Sequence, residues 1–226
     1  MLTRSEEDHL KAVHALLEGG ASAANKDVAE RMGTKASSVT MMLKKLADKG
    51  LLKLEPYHGV KLTAKGRAEA LKLVRKHRLW ETFLVERLGF GWDEVHEVAE
   101  QLEHVRSEKL TDHLAEYLGD PAFDPHGDPI PDRHGRITAR NMRPLPAVGT
   151  GERVRVAAVK DGSDALLQLL GRKGIGIGKV FTVRDRQDFD QSLELVAVDG
   201  IHLTLSAKAA AHLWVEPASP RERRAP

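Results

Sequence analysis

The sequence predicts a mainly α protein with a small β domain at its C-terminal end, and three observations lead there. Apolar residues recur at helical spacing up to Leu118, a Pro-, Gly- and Asp-rich stretch follows over 119–143, and from Gly151 the apolar period drops to two. At about 100–200 residues per domain, 226 residues make one large domain or two to three small ones. No stretch approaches the roughly 18 unbroken apolar residues of a membrane span. Met1-Leu2-Thr3-Arg4-Ser5-Glu6-Glu7-Asp8 turns acidic without the apolar core of a signal peptide, so a cytoplasmic protein with no membrane contact is expected. The absence of cysteine excludes disulfides, thiolate zinc sites, iron–sulfur clusters and cysteine nucleophiles. The net charge of +2 conceals an asymmetry: residues 1–76 hold 15 Lys/Arg against 9 Asp/Glu, so the remainder is net acidic. A basic head points to a polyanion, and with only 4% aromatic residues duplex DNA fits better than stacked single strands.

Leu10, Val13, Ala15, Leu16 and Leu17 predict a first helix with Ser5 as N-cap, ended by Gly19-Gly20. Asn25 is expected to cap a short second helix over 26–32 that buries Val28, Ala29 and Met32. Gly33-Thr34 turns the chain into a third helix over 35–49, with Val39, Met42, Leu43 and Leu46 inward, and Gly50 ends it. Residues 51–55 and 60–63 read as two strands joined through Pro56-Tyr57-His58-Gly59. Three helices, a glycine between the second and third, and a following hairpin make a winged helix-turn-helix, whose third helix enters the major groove. Its outer face offers Lys35, Ser37, Ser38, Thr40, Met41, Lys44 and Lys45, a mix of phosphate- and base-edge-contacting groups. Tyr57 and His58, at the hairpin tip, join them as DNA-facing candidates. A merely solvated basic face is the bland alternative, and the hairpin favours DNA binding.

A long helix over 64–88, a break at Gly89-Phe90-Gly91, and helices over 92–105 and 108–118 follow. Their apolar stripes (Leu79, Trp80, Phe83, Leu84, Leu88; Val95, Val98, Ala99, Leu102) point to a helix-on-helix homodimer seam, or else close the chain's own core. From Gly151, alternation at Val154/Val156, Val180/Phe181/Val183, Leu193/Leu195/Val196/Val198 and Ile201/Leu203/Leu205 predicts a small all-β barrel of roughly 65 residues, interrupted by one helix over 164–170. Gly174-Ile175-Gly176-Ile177-Gly178 matches no nucleotide fingerprint and reads as a turn. The tail, 219–226, has no apolar pattern and is expected to be disordered.

His77 and Glu81 stand i,i+4 on the fourth helix, His96 and Glu100 repeat the spacing on the fifth, and Glu103-His104 follows. Residues four apart share a helix face, so each pair can converge on one point, and positions 96, 100, 103 and 104 are expected to form one stripe of imidazoles and carboxylates. Without sulfur, that donor set suits a divalent first-row ion such as Mn²⁺ or Fe²⁺. A lone pair of this kind is usually a surface salt bridge; two pairs with an adjacent Glu-His favour a metal. Such residues also serve metal-dependent hydrolases, but no nucleophile motif, phosphate loop or His-Glu-x-x-His accompanies them.

Arg75-Lys76-His77-Arg78-Leu79-Trp80-Glu81, the run Val95-His96-Glu97-Val98-Ala99-Glu100-Gln101-Leu102-Glu103-His104-Val105, and Asp124-Pro125-His126-Gly127-Asp128-Pro129-Ile130-Pro131 resemble the diphtheria-toxin-repressor (DtxR/MntR) family of metal-dependent transcriptional regulators. Ser37-Ser38-Val39-Thr40 and Leu62-Thr63-Ala64-Lys65-Gly66 extend the resemblance, which covers residues 1–140 closely and the rest loosely. It implies a winged helix-turn-helix over 1–70, a helical metal-binding and dimerisation domain over 71–143, and an SH3-like, FeoA-like domain over 144–218. It further implies one metal site of His77, Glu81 and His96, completed by oxygen ligands from the C-terminal domain, for which Asp161 and Asp164 stand nearest. The second implied site is Asp8, Glu100, Glu103 and His104. Iron-responsive members carry Met at the position of Asp8 and Cys at that of Glu100; both are carboxylates here, as in the manganese regulators. Lys11 stands where those regulators have a second N-terminal glutamate, so their two-manganese cluster is not implied.

The expected protein is therefore a homodimeric, Mn²⁺-activated repressor of metal-homeostasis genes such as those for manganese uptake. It would bind palindromic double-stranded operator DNA, with no catalysis and no small organic ligand. The alternatives are an Fe²⁺-dependent repressor of the same family and, from another class, a metal-dependent hydrolase with a basic head.

Overall fold

The computed structural model of the chain describes residues 1–20, 23–55, 59–160 and 163–218. Tyr57, His58, Asp161 and the tail 219–226, each singled out above, lie outside the described residues. Backbone packing divides the chain into two compact units. The first comprises Met1–Trp80, Ala99–Asp120 and Ile130–Ile137; the second comprises Glu81–Val98, Pro121–Pro129 and Thr138–Pro226.

The first unit opens with α1 (Arg4–Glu18), α2 (Asn25–Arg31), α3 (Ala36–Asp48) and a hairpin of β1 (Leu52–Glu55) and β2 (Gly59–Leu62). Thr3 rather than Ser5 caps α1, because Thr3 and Glu6 stand at capping-box spacing: Thr3 Oγ1 accepts the Glu6 amide at 3.4 Å and Glu6 Oε2 accepts the Thr3 amide at 2.7 Å. Asn25 does not cap α2. Ala24 holds that place, its amide donating to Asp27 Oδ2 at 3.2 Å, and the Asn25 side chain donates to Thr40 Oγ1 at 2.7 Å. Leu10, Val13, Val28, Val39, Leu43, Leu46, Leu51 and Val60 form one buried core from all three helices and the hairpin. The α4 helix (Ala64–Leu88) starts where expected, with Thr63 Oγ1 accepting the Gly66 amide at 3.0 Å. A Cβ on Gly66 would lie 1.9 Å from the Leu51 carbonyl oxygen, so only glycine lets this first turn press onto the strand.

Beyond α4 lie α5 (Val95–Leu102) and α6 (Glu108–Tyr117). The α5 helix is shorter at both ends than the expected 92–105: Glu94 Oε1 accepts the Gly91 amide at 2.9 Å and holds 92–94 as a turn, while Glu103 and His104 form a second turn past Leu102. Leu79, Leu84, Val95 and Ala99 are buried, whereas Leu88 is exposed.

The β domain announced by the change of period lies in the second unit. Strands β3 (Arg143–Pro144), β4 (Arg153–Val159), β5 (Val180–Arg186), β6 (Leu193–Ala197), β7 (His202–Leu205) and β8 (Leu213–Pro217) pair antiparallel in the order β3-β8-β4-β5-β6-β7. Register shifts at Val156/Ala158 and Val183/Asp185 bend the sheet. Two helices, α7 (Asp164–Arg172) and α8 (Ala207–Ala210), complete it. Val154, Val156, Phe181, Val183, Leu193, Leu195 and Val215 pack with Leu167 and Leu170 of α7, and Trp92 leans on this core.

The Asp-Pro-His-Gly-Asp run of the same unit is a tight turn. Asp124 Oδ1 accepts the amides of His126 and Asp128, each at 2.9 Å, and Gly127 turns with φ +86°. The His126 carbonyl accepts the Val159 amide at 2.9 Å, which clips the turn to β4. A Cβ on Gly127 would meet the Ala157 carbonyl oxygen at 2.0 Å in a left-handed backbone. Gly127→Ala is therefore expected to destabilise the second unit by about 2–4 kcal/mol, read as a lowered midpoint in thermal unfolding; an unchanged midpoint would refute the close approach.

Candidate metal centre

In the first unit Asp8 of α1 and Glu103 and His104 of the turn after α5 bring ligand atoms within 4.8 Å of one another. The imidazole is held from both sides: Nδ1 donates to Glu7 Oε2 at 2.6 Å, and Nε2 lies 3.1 Å from Asp8 Oδ1 and 3.9 Å from Glu103 Oε1. A histidine whose second nitrogen is fixed by a carboxylate is the arrangement that orients metal ligands. Glu7 was missed in the sequence, since only the fold shows that it faces His104.

Glu103 is buried, and its other oxygen, Oε2, accepts Lys11 Nζ at 2.7 Å and His77 Nδ1 at 2.6 Å. Burial alone would raise its pKa, but the His77 hydrogen bond and the Lys11 charge outweigh burial and hold the carboxyl below its ordinary value. For Asp8, burial pushes the pKa up and Glu103 adds to it, against the pull of His104. Two carboxylate oxygens and one imidazole nitrogen, with no sulfur, fit a hard-to-borderline divalent ion.

A second cluster lies in the other unit, where Glu81, Asp124 and His126 also place ligand atoms within 4.8 Å of one another. His126 Nε2 donates to the Trp92 carbonyl at 2.7 Å, and its ring stacks on Trp92 at an interplanar angle of 11°. That leaves Nδ1 facing Glu81 Oε2 at 3.8 Å, an ion-pair distance. Burial lowers the pKa of this imidazole, but the Glu81 and Asp124 carboxylates more than reverse the effect and raise it to about 9. Asp124 and His126 were quoted above as motif residues without a ligand role; their signal was the Asp-x-His spacing in a turn.

The remaining sequence-selected residues divide. His96 Nδ1 stands 3.2 Å from Glu81 Oε1, and His77 precedes Glu81 by one turn of α4. Glu100, on the half-exposed side of α5, has Lys11 Nζ 3.8 Å away, and Asp164 is exposed in the first turn of α7. The expected single stripe over 96, 100, 103 and 104 is broken because α5 ends at Leu102: His96 meets Glu81, while Glu103 and His104 meet α1. On α3, Lys35, Ser37, Ser38, Met41, Lys44 and Lys45 are exposed. The Thr40 hydroxyl donates to the Ala36 carbonyl at 2.9 Å while accepting from Asn25, and Lys45 reaches Glu6.

Three family models match in succession: "Iron dependent repressor, N-terminal DNA binding domain" over 1–60, "Iron dependent repressor, metal binding and dimerisation domain" over 63–132, and "FeoA domain" over 143–217. The chain is 33% identical over 162 residues to the iron-dependent repressor IdeR of Mycobacterium tuberculosis, covering 72% of this chain and 69% of that one. It is 35% identical over 116 residues to the transcriptional regulator MntR of Lysinibacillus sphaericus, covering 51% of this chain and 83% of that one. Among solved structures, a manganese-dependent transcriptional repressor in complex with manganese superposes with TM-score 0.85 at 37% identity, over 94% of this chain and all of that one.

Proposed function

Because the chain belongs to the diphtheria-toxin-repressor (DtxR/MntR) family of metal-dependent transcriptional repressors, we propose that it is a Mn²⁺-activated repressor. On this reading a homodimer binds palindromic operator DNA and controls metal-homeostasis genes such as those for manganese uptake. Members of the family are repressors rather than enzymes, which sets the hydrolase alternative aside. The observation that carries the reading is the all-oxygen-and-nitrogen cluster of Asp8, Glu103 and His104, with Glu7 behind the imidazole. Glu100, one turn before Glu103 and His104, is proposed as the fourth ligand. Lys11 already supplies one positive charge to Glu103, which favours a single ion here. Glu81, Asp124 and His126 of the second unit, with His96 beside Glu81, are proposed as an ancillary site in which Asp124 and His126 take the place expected of Asp161 or Asp164.

When bound, the metal supplies the positive charge that lets Asp8 and Glu103 share one point. The chain does the rest. Asp8 sits on α1, whose Leu10 and Val13 pack in one core with Val39, Leu43 and Leu46 of the proposed reading helix α3. Drawing Asp8 onto the turn after α5 therefore fixes α3 as well, and with it the separation of the two reading helices in a dimer, which must match the half-site spacing of the operator. Ser37, Ser38 and Met41 would face base edges, Met41 suiting a thymine methyl, while Lys35 and Lys44 would meet phosphates.

Operator binding measured in EDTA, then with Mn²⁺, Fe²⁺ or Zn²⁺ restored, tests this. We expect Mn²⁺ to tighten binding by about 10- to 100-fold. DNA affinity indifferent to chelator would refute metal control, and a stronger response to Fe²⁺ than to Mn²⁺ would favour the iron-sensing reading that the likeness to IdeR supports.

A further inference from the structure

Glu6 is fully buried, and its two oxygens are divided between the helix it belongs to and the helix α3. Oε2 closes the capping box of α1 by accepting the Thr3 amide. Oε1 accepts Lys49 Nζ at 2.6 Å and lies 3.1 Å from Lys45 Nζ, the two lysines standing at the C-terminal end of α3. Glu7 and Asp8, the next two residues, are those that grip His104. Successive residues on a helix point about 100° apart, so one turn of α1 faces α3 through Glu6 and the metal cluster through Glu7 and Asp8.

The capping box needs no charge at this position, since Gln serves at N3 as Glu does. Burying a carboxylate is unfavourable unless it is paired. The ion pairs with Lys45 and Lys49 therefore ask for an explanation beyond helix capping. Apolar contacts between α1 and α3 allow small sliding, whereas a buried carboxylate bonded to two lysines fixes the end of α3 to a definite point of α1. It also engages Lys45, one of the basic groups on the reading helix that could otherwise meet DNA phosphate.

We propose that Glu6 is the positioning residue that links the metal cluster to the reading helix, holding the C-terminal end of α3 on the same turn of α1 that carries Glu7 and Asp8. The inference rests on the reading of Asp8 as a metal ligand and of α3 as the DNA-reading element.

The test compares the full-length protein with Glu6→Gln, which keeps the capping box and removes the charge. Three quantities are measured: Mn²⁺ affinity by calorimetry without DNA, operator affinity in Mn²⁺ and in EDTA, and the salt dependence of operator binding. We expect Mn²⁺ affinity within about threefold of the unaltered protein. The Mn²⁺-induced gain in operator affinity should fall at least tenfold, and the salt slope should steepen by up to about one unit as Lys45 becomes available to phosphate. A role confined to packing would not steepen that slope. If Glu6→Gln fails to fold, Lys49→Gln, which removes the closer partner from a half-exposed position, should still reduce the Mn²⁺-induced gain without changing Mn²⁺ affinity. An unaltered protein that shows no response to Mn²⁺ overturns the metal-control reading. A responsive parent whose Glu6→Gln or Lys49→Gln variant responds equally, or loses Mn²⁺ affinity in parallel, overturns the link alone.

Discussion

Asp8→Ala is expected to leave the chain folded and to remove most of the effect of Mn²⁺ on operator affinity, a loss on the order of 10- to 100-fold in the metal-induced gain. To raise a DNA-competent form from roughly 1% to 99%, the ion must favour it by about 5.5 kcal/mol. Only ligands that converge in the competent form can provide such a difference. On the proposed reading Asp8 is the ligand that α1 contributes, while Glu103 and His104 come from the turn after α5, so its removal would cut the connection to the DNA-binding core and leave the rest of the site in place. The fold should tolerate the change: the Asp8 side chain is 32% exposed, and His104 keeps its hydrogen bond to Glu7. Calorimetry should show weakened Mn²⁺ binding, circular dichroism an unchanged fold, and operator titration the same affinity with and without metal. Full Mn²⁺ activation in this variant would mean that α1 is not tied to the metal, and the coupling would have to be sought elsewhere.

The residues that decide this mechanism were not equally legible in the sequence. The helical period located α1 and α3, because each buries an apolar stripe against one core, and it located α4 as well. It misjudged the ends where side chains rather than the stripe set the boundary: Thr3 displaced Ser5 as cap through its exchange with Glu6, and Glu94 turned the residues before α5 out of the helix. The three residues that gather in the first cluster, Asp8, Glu103 and His104, were named in the sequence by resemblance more than by spacing. Asp8 lies far from Glu103 in the chain, and no periodicity relates them. The supposed stripe over 96–104 failed because spacing arguments assume that the helix continues, and α5 ends before Glu103. Glu7 and His126 carried no ligand role in the sequence reading for a related reason. Each meets a neighbour that only tertiary packing supplies: His104 for Glu7, Glu81 and Trp92 for His126. Glu6 reads in the sequence as one more acid in a first turn, and its burial against two lysines of another helix follows only from how α1 and α3 pack.

Exchanging the two proposed ligands Asp8 and Glu100 is expected to shift metal preference. Mn²⁺ binds most weakly in the first-row divalent series, so a site that uses it must do so through oxygen donors and geometry rather than raw affinity. Asp8 offers a carboxylate at the cluster, and Glu100 another beside Lys11, in a chain without cysteine. Asp8→Met together with Glu100→Cys installs the softer pair that the family resemblance assigns to iron-responsive members. Two carboxylate charges are lost and at most one thiolate is gained, while the Lys11 ammonium stays 2.7 Å from Glu103 and now repels an incoming ion with less opposing charge around it. Both metals lose electrostatic attraction, but Fe²⁺ recovers part of it from the thiolate and Mn²⁺ does not. The Mn²⁺/Fe²⁺ ratio of activation midpoints, measured by anaerobic operator titration, should therefore move toward Fe²⁺ by about tenfold or more, equivalent to about 1.4 kcal/mol of differential binding. Restoring Asp8 alone should recover part of the Mn²⁺ response, since one carboxylate then faces His104 again. Identical Mn²⁺/Fe²⁺ ratios before and after the double exchange would show that these positions do not choose the metal. Selectivity would then have to arise from Glu103 and His104 and the groups that orient them, Glu7, Lys11 and His77.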